Sequence, residues 1–474
     1  MTSTLQSGFP QVAFGTSGVR ALVADLTLEA VSAYVFAFVE RMRQAGGLAD
    51  GGAVAVAMDL RPSSPAIARA VCQTLRHLGH GVVFLGTLPT PALALHCLSA
   101  VMPGMVVTGS HIPFDRNGIK FYGPTGEILK EDEQAMATLP LPADRSYVPS
   151  TSAALPKAAA EASRRYVERY IGFFGAGALR GLRIGLYQHS AVGRDVTLAI
   201  LEGLGATALP LARSDTFVPI DTEAVGAADL AQARQWCAES GLDAVVSTDG
   251  DGDRPLVFDA DGNFIRGDLL GLICARALGI QALAVPVSCN TAIEQAGVFR
   301  RVARTRIGSP YVIAGMNDLL ATGEGSVAGF EANGGFLLAS SLPGLEALPT
   351  RDAILPMISI LAATVQARRS LADLVADLPP RFTHSDRIQD VPNAVSRTLL
   401  ARLTDDAAFR AEVFVFKGGI AGLDTTDGVR LTFADGDIVH LRASGNAPEL
   451  RCYAEAGSYR QATQLCDSTL ERVV

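Results

Sequence analysis

Three stretches of this chain repeat one order of signals: a short apolar run, a polar loop, a helical pattern, a glycine and a second apolar run. They start at residues 53–58, 182–187 and 282–287 and share little sequence identity. Alternating strand and helix calls for a sheet with parallel strands and helices on both faces. Duplicated α/β domains explain the recurrence; unrelated sandwiches explain it less simply. After Leu378-Pro379-Pro380-Arg381 the pattern changes. Residues 420–424, 428–433 and 437–442 look like antiparallel strands with short turns, as in an α+β unit. A chain of 474 residues is also too long for one core. We expect domains at 1–150, 155–258, 259–376 and 380–474, the first boundary marked by Pro/Ser-rich sequence.

The composition excludes several classes. With 19% charged and 49% hydrophobic residues the chain is not disordered. A net charge of −8 argues against nucleic acid or a membrane surface as partner, and any anionic ligand must then be held by local cations. Seven scattered cysteines without a CxxC pair point to a reducing compartment and to neither disulfides nor zinc. The first residues lack the basic and apolar segments of a signal peptide, so a cytoplasmic location is expected.

The stretch with most chemistry is Val106-Val107-Thr108-Gly109-Ser110-His111-Ile112-Pro113. A buried apolar run ends abruptly in a serine, where open α/β sheets place their reactive loops. Gly109 allows the backbone to approach a ligand closely. His111 and Lys120 are two proton acceptors near a hydroxyl nucleophile. Asp249-Gly250-Asp251-Gly252-Asp253-Arg254 sets three carboxylates at alternating positions, which a hard divalent cation explains. Counted as an EF-hand from Asp249, positions six and twelve are Arg254 and Ala260, so that reading fails.

Other loops add anion and hydroxyl recognition. Phe14-Gly15-Thr16-Ser17-Gly18-Val19-Arg20 has the backbone donors and fixed charge that suit phosphate. Gly329-Phe330-Glu331-Ala332-Asn333-Gly334 offers a carboxylate and an amide to vicinal sugar hydroxyls. Arg442-Ala443-Ser444-Gly445-Asn446 is a phosphate clamp by its chemistry. In residues 59–65 the hydroxyls are placed to cap the following helix. Residues 304–309 form a basic loop. His189-Ser190 resembles a nucleophile pair without a Lys or acidic partner, and is read as an ancestral, structural loop.

Together these loops resemble the α-D-phosphohexomutases over nearly the whole chain. The serine loop departs from the family's usual pattern at Gly109 and Ile112, the sugar loop at Asn333, and the C-terminal loop at Asn446 and Ala447. The charged groups are kept, and the variant set looks most like phosphomannomutase-type members. The resemblance implies three α/β/α sandwich domains with mixed sheets, then a C-terminal α+β domain, around a central cleft. It implies phosphoryl exchange between the 1- and 6-positions of a hexose phosphate through a phosphoserine on Ser110, with mannose phosphates first and phosphoglucomutase activity beside it, and with phosphoglucosamine mutase activity the alternative. Mg²⁺ would be held by Asp249, Asp251, Asp253 and an oxygen on Ser110. Lys120 would be the base, with Arg20, Arg254 and the metal as cations that favour its neutral form, and His111 would share the proton work or orient Ser110. Glu331 and Asn333 would hold the sugar, and Arg442, Ser444, Gly445 and Asn446 the far phosphate. A hexose 1,6-bisphosphate would serve as activator, and the chain would be a monomer or homodimer.

Two rival classes make different demands. A phosphatase on the same frame needs an extra acid to position water, and none is evident. A non-catalytic sugar-phosphate-binding protein has no need of Ser110, Lys120 and three aspartates together.

Overall fold

A computed structural model describes residues 3–150, 153–444 and 448–473. Within them the strands form four sheets, one of seven strands and three of five. The first three sheets share one plan. In the first, Ala53–Met58 pairs in parallel with Gly81–Thr87 on one side and Gly104–Val107 on the other. Gly104–Val107 then pairs antiparallel with Arg116–Gly123. The second sheet repeats this with Arg183–His189 between Thr207–Arg213 and Ala244–Thr248, followed by antiparallel Pro255–Phe258. The third does so with Ala282–Pro286 between Arg301–Thr305 and Val327–Phe330, followed by Phe336–Leu338. The sheets are therefore mixed, as expected.

This plan has a functional consequence. The serine, triple-aspartate and Glu331 loops each close the same hairpin of their sheet, where the direction of pairing switches from parallel to antiparallel. The strands feeding them, Gly104–Val107, Ala244–Thr248 and Val327–Phe330, are buried along their whole length. Burial on both faces explains why these strands appear as mainly apolar runs, broken only by Ser247 and Thr248. The loop at His189-Ser190 follows the middle strand of the three parallel ones instead. It is the counterpart of residues 59–63, not of the Ser110 loop, and His189 spends its Nε2 on the Thr248 carbonyl at 2.9 Å.

The final sheet is antiparallel throughout, in the order Phe382–Ile388, Leu450–Ala456, Ile438–Ala443, Val429–Phe433, Ile420–Asp424. One continuous apolar core runs through all three α/β units, from Ala55 and Tyr122 through Leu186 and Val246 to Phe330 and Ile358. The C-terminal unit has a core of its own, around Leu431, Leu441 and Cys452. Polar contacts tie it to the third unit: Ile307 N donates to Asp427 at 3.0 Å, Thr291 N to Glu455 at 3.1 Å and Asn290 to the Arg381 carbonyl at 2.8 Å.

Two local expectations are corrected. The hydroxyls after Asp59 do not cap the helix Ser64–His77. Ser64 donates to Asp59, and Ser63 accepts from Asn117 at 2.8 Å, because a buried carboxylate and amide compete for them. The basic stretch at 304–309 begins inside a strand, and Arg304 is consumed by Glu294 at 2.6 Å.

Candidate active site

Ser110 has φ near +53°, a conformation few side chains adopt. It is held there from both sides. Its N–H donates to Thr108 Oγ1 at 2.8 Å. The buried Arg61 guanidinium donates to the carbonyls of Ser110 (2.8 Å), Ile112, Pro113 (2.7 Å) and Arg116 (3.0 Å). Arg61 also lies 3.3 Å from Asp59 and stacks on Phe217 at 4.1 Å. Gly109 is explained here: a Cβ would sit 2.6 Å from Arg61 Cζ, so the close neighbour is a protein cation where sequence reasoning expects a ligand.

The Ser110 hydroxyl donates to Asp249 Oδ2 at 2.6 Å and lies 3.4 Å from His111 Nδ1. Asp249, Asp251 and Asp253 are buried, and each brings a carboxylate oxygen within 4.8 Å of the others. Asp251 Oδ2 accepts from Thr90 and Lys120, both at 2.6 Å. Asp253 Oδ2 accepts from Lys120 and from Arg351 at 2.9 Å. Asp251 Oδ1 and Asp253 Oδ1 are buried without a hydrogen-bond partner among the described residues, and Arg254 Nε lies 3.7 Å from the latter. A buried carboxylate oxygen left without a hydrogen bond is costly, so these two atoms fit a hard cation that would complete their coordination.

The electrostatics follow from this crowding. Burial, then Asp251 and Asp253, push the Asp249 carboxyl well above its usual range. For Asp253, burial acts upward, but Arg351, Lys120 and Arg254 outweigh it and hold the carboxyl below its usual range. Burial, Arg254 and Arg20 hold the His111 imidazole well below its usual range, hence neutral at pH 7. Its Nδ1 accepts from Arg254 Nη1 at 2.9 Å. Arg20 drops to about 10 through burial and the facing Arg254 and Arg351.

These groups border a cavity of about 660 Å³ that all four units line. Its walls include Arg20, Arg254, Arg351, Arg387, Arg442 and Arg451. A protein of net negative charge thus focuses positive charge in one cleft. Glu331 and Asn333 form one wall, and Arg442 with Ser444 line the side given by the C-terminal unit. Gly445 and Asn446, expected in the same clamp, lie outside the described residues.

Sequence reasoning overlooked two arginines and a threonine. Arg351 bridges Asp253 and Glu331 at 2.9 Å each, coupling the aspartate loop to the Glu331 loop. Arg61 and Thr90 do the same work for Ser110 and Asp251. None of the three belongs to the motif it serves. The only local hint is Asp59-Leu60-Arg61, a charged pair after a wholly apolar strand.

Four family models match in order: "Phosphoglucomutase/phosphomannomutase, alpha/beta/alpha domain" I at residues 11–139, II at 164–262 and III at 266–382, and the family's C-terminal domain at 389–472. The chain belongs to the phosphoglucomutase/phosphomannomutase family. Among curated relatives, a phosphomannomutase from Salmonella muenchen is 46% identical over 97% of this chain and 95% of its own. A phosphoglucosamine mutase from Verminephrobacter eiseniae is 29% identical over 97% of this chain and 94% of its own. A phosphoglucomutase/phosphomannomutase family protein from Burkholderia thailandensis shares the fold, with TM-score 0.77 and 22% identity over 100% of this chain and 97% of that one.

Proposed function

We propose that this enzyme interconverts the 1- and 6-phosphates of a hexose, with mannose phosphates as its substrates, through a phosphoserine on Ser110. The observation that carries the reading is the 2.6 Å contact between the Ser110 hydroxyl and Asp249, inside a group of three buried aspartates beside an arginine-lined cleft. The mannose assignment is supported by the 46% identity to a phosphomannomutase, against 29% for the phosphoglucosamine mutase.

In this reading Ser110 carries the phosphoryl group and passes it to the free hydroxyl at C1 or C6 of a bound hexose monophosphate. The 1,6-bisphosphate turns over, and its other phosphate returns to Ser110. Asp249, Asp251, Asp253 and an oxygen on Ser110 would hold Mg²⁺, which would supply charge neutralisation during transfer. Lys120 is the base for the attacking hydroxyl, and Arg20 and Arg254 bind the transferring phosphoryl oxygens. Lys120 is held by Oδ2 of Asp251 and of Asp253, which leaves Oδ1 of each for the cation. His111 orients Ser110: its Nδ1 already accepts from Arg254, which leaves it poorly placed to take the serine proton. Glu331 and Asn333 hold hydroxyls in either orientation of the sugar, and Arg442, Ser444, Gly445 and Asn446 hold the phosphate that does not react. A trace of hexose 1,6-bisphosphate keeps Ser110 charged.

The test is a coupled assay on mannose 1-phosphate, glucose 1-phosphate and glucosamine 1-phosphate with trace glucose 1,6-bisphosphate and Mg²⁺. Mannose 1-phosphate should be turned over, with glucosamine 1-phosphate far slower. Preference for glucosamine 1-phosphate, or release of inorganic phosphate without isomerisation, overturns the reading.

A further inference from the structure

We infer that Glu223 is a further sugar-recognition residue, whose carboxylate accepts a hydroxyl hydrogen of the hexose in the cleft. The inference rests on the mutase reading for the identity of the ligand and on the geometry of one loop for the contact. Glu223 lines the cleft from the second unit, a side to which no sugar role has been assigned above. Its position is fixed from below. Thr222 is fully buried, and its hydroxyl donates to the Asn333 carbonyl at 3.2 Å, fastening this loop to the sugar loop. Asp221 Oδ1 accepts from the N–H groups of Glu223 (2.9 Å) and Ala224 (3.3 Å), which sets the turn.

The other carboxylates lining the cleft are already engaged. Glu331 receives Arg351 at 2.9 Å, Asp221 caps its own turn, and Asp386 Oδ1 accepts from Arg387 N. Asn333 Oδ1 accepts from Gly335 N at 3.0 Å. Among the described residues the Glu223 carboxylate makes no hydrogen bond or ion pair. The arginines that face it have other partners: Arg254 has His111, Arg266 has Asp268 and Arg451 has Glu449. Burial and Asp221 push its carboxyl upward even with those cations nearby.

A free carboxylate in a cleft built for phosphate repels the ligand unless it is repaid by donors on that ligand. A hexose phosphate brings hydroxyl donors, and the fastening of Thr222 to Asn333 puts Glu223 beside the loop that holds the ring. Hydrogen bonds to charged groups are among the stronger ones, and losing one is worth about tenfold or more in affinity.

The test measures binding of a hexose 6-phosphate and its 2-, 3- and 4-deoxy analogues by calorimetry. It uses the full chain in the Ser110→Ala background, which blocks transfer, with and without Glu223→Ala or Glu223→Gln. Glu223→Ala should weaken the parent sugar about tenfold or more, and for one deoxy analogue the loss should vanish. Glu223→Gln, which keeps an acceptor, should show the same pattern with a smaller loss. No loss, or an equal loss for every analogue, overturns the inference. Turnover of the unmodified chain is measured in parallel. Analogue-selective binding without mutase turnover sinks the mutase reading alone, and turnover with uniform loss sinks the Glu223 assignment alone.

Discussion

Asp251 accepts from Thr90 and Lys120 with one oxygen and leaves the other buried and bare. That asymmetry separates two uses of the residue. If Asp251 served only to pair with Lys120, an amide would keep part of that bond. If it is a metal ligand, Asp251→Asn loses the charge that a hard cation demands. We expect Asp251→Asn to weaken Mg²⁺ binding by at least about 100-fold, read by metal titration of activity, while folding is kept. An unchanged Mg²⁺ requirement would remove Asp251 from the metal site. The residues legible in the sequence are those, like Asp251, that stand together on one loop. Arg351 was not legible: it lies within the strand Leu348–Asp352, and only the fold brings it to Asp253 and Glu331.

At the scale of elements, the reactive hairpin of the first sheet is held by one side chain from another loop. Arg61 donates to four carbonyls of residues 110–116. Arg61→Met should remove this donor from all four carbonyls and leave the buried Asp59 carboxylate without its cation. We expect a loss of about 3 kcal/mol in stability and a fall of more than tenfold in kcat, with a smaller change in KM. Chemical denaturation and steady-state kinetics check both, and a variant with wild-type kcat would show that the loop holds itself. Strand and helix alternation was legible because the buried strands are apolar runs. The strands Thr207–Arg213 and Phe382–Ile388 were not, because both are sheet edges with mostly exposed or half-buried side chains. Edge strands need no unbroken apolar face.

The C-terminal unit has its own core, and polar contacts tie it to the third unit. Such an interface allows movement about residues 377–381. Binding of a hexose phosphate should therefore reduce the radius of gyration in small-angle scattering, because closure expels competing water from the cleft. An unchanged scattering profile would contradict closure. The same unit carries a pH dependence. His440 is buried, stacks on Tyr453 at 5.4 Å and bonds the Asp427 carbonyl. Burial lowers it from 6.5 to about 4 in the fold. A depressed folded value means that its contribution is present above pH 6.5 and is lost as pH falls toward 4. The loss is at most about 3 kcal/mol. Replacing His440 with Gln should flatten this part of the stability profile, so that the wild type loses ground to the variant as pH falls. Parallel profiles would contradict the assignment.

The central claim is that Ser110 relays the phosphoryl group within the cleft. The most direct measurement incubates the protein with Mg²⁺ and a hexose 1,6-bisphosphate labelled in its phosphates, then maps the label by peptide mass spectrometry. The account predicts one phosphate on the peptide containing Ser110, its loss to added mannose 1-phosphate, and no labelled peptide in Ser110→Ala. Label on another residue, or full turnover by Ser110→Ala, would contradict it.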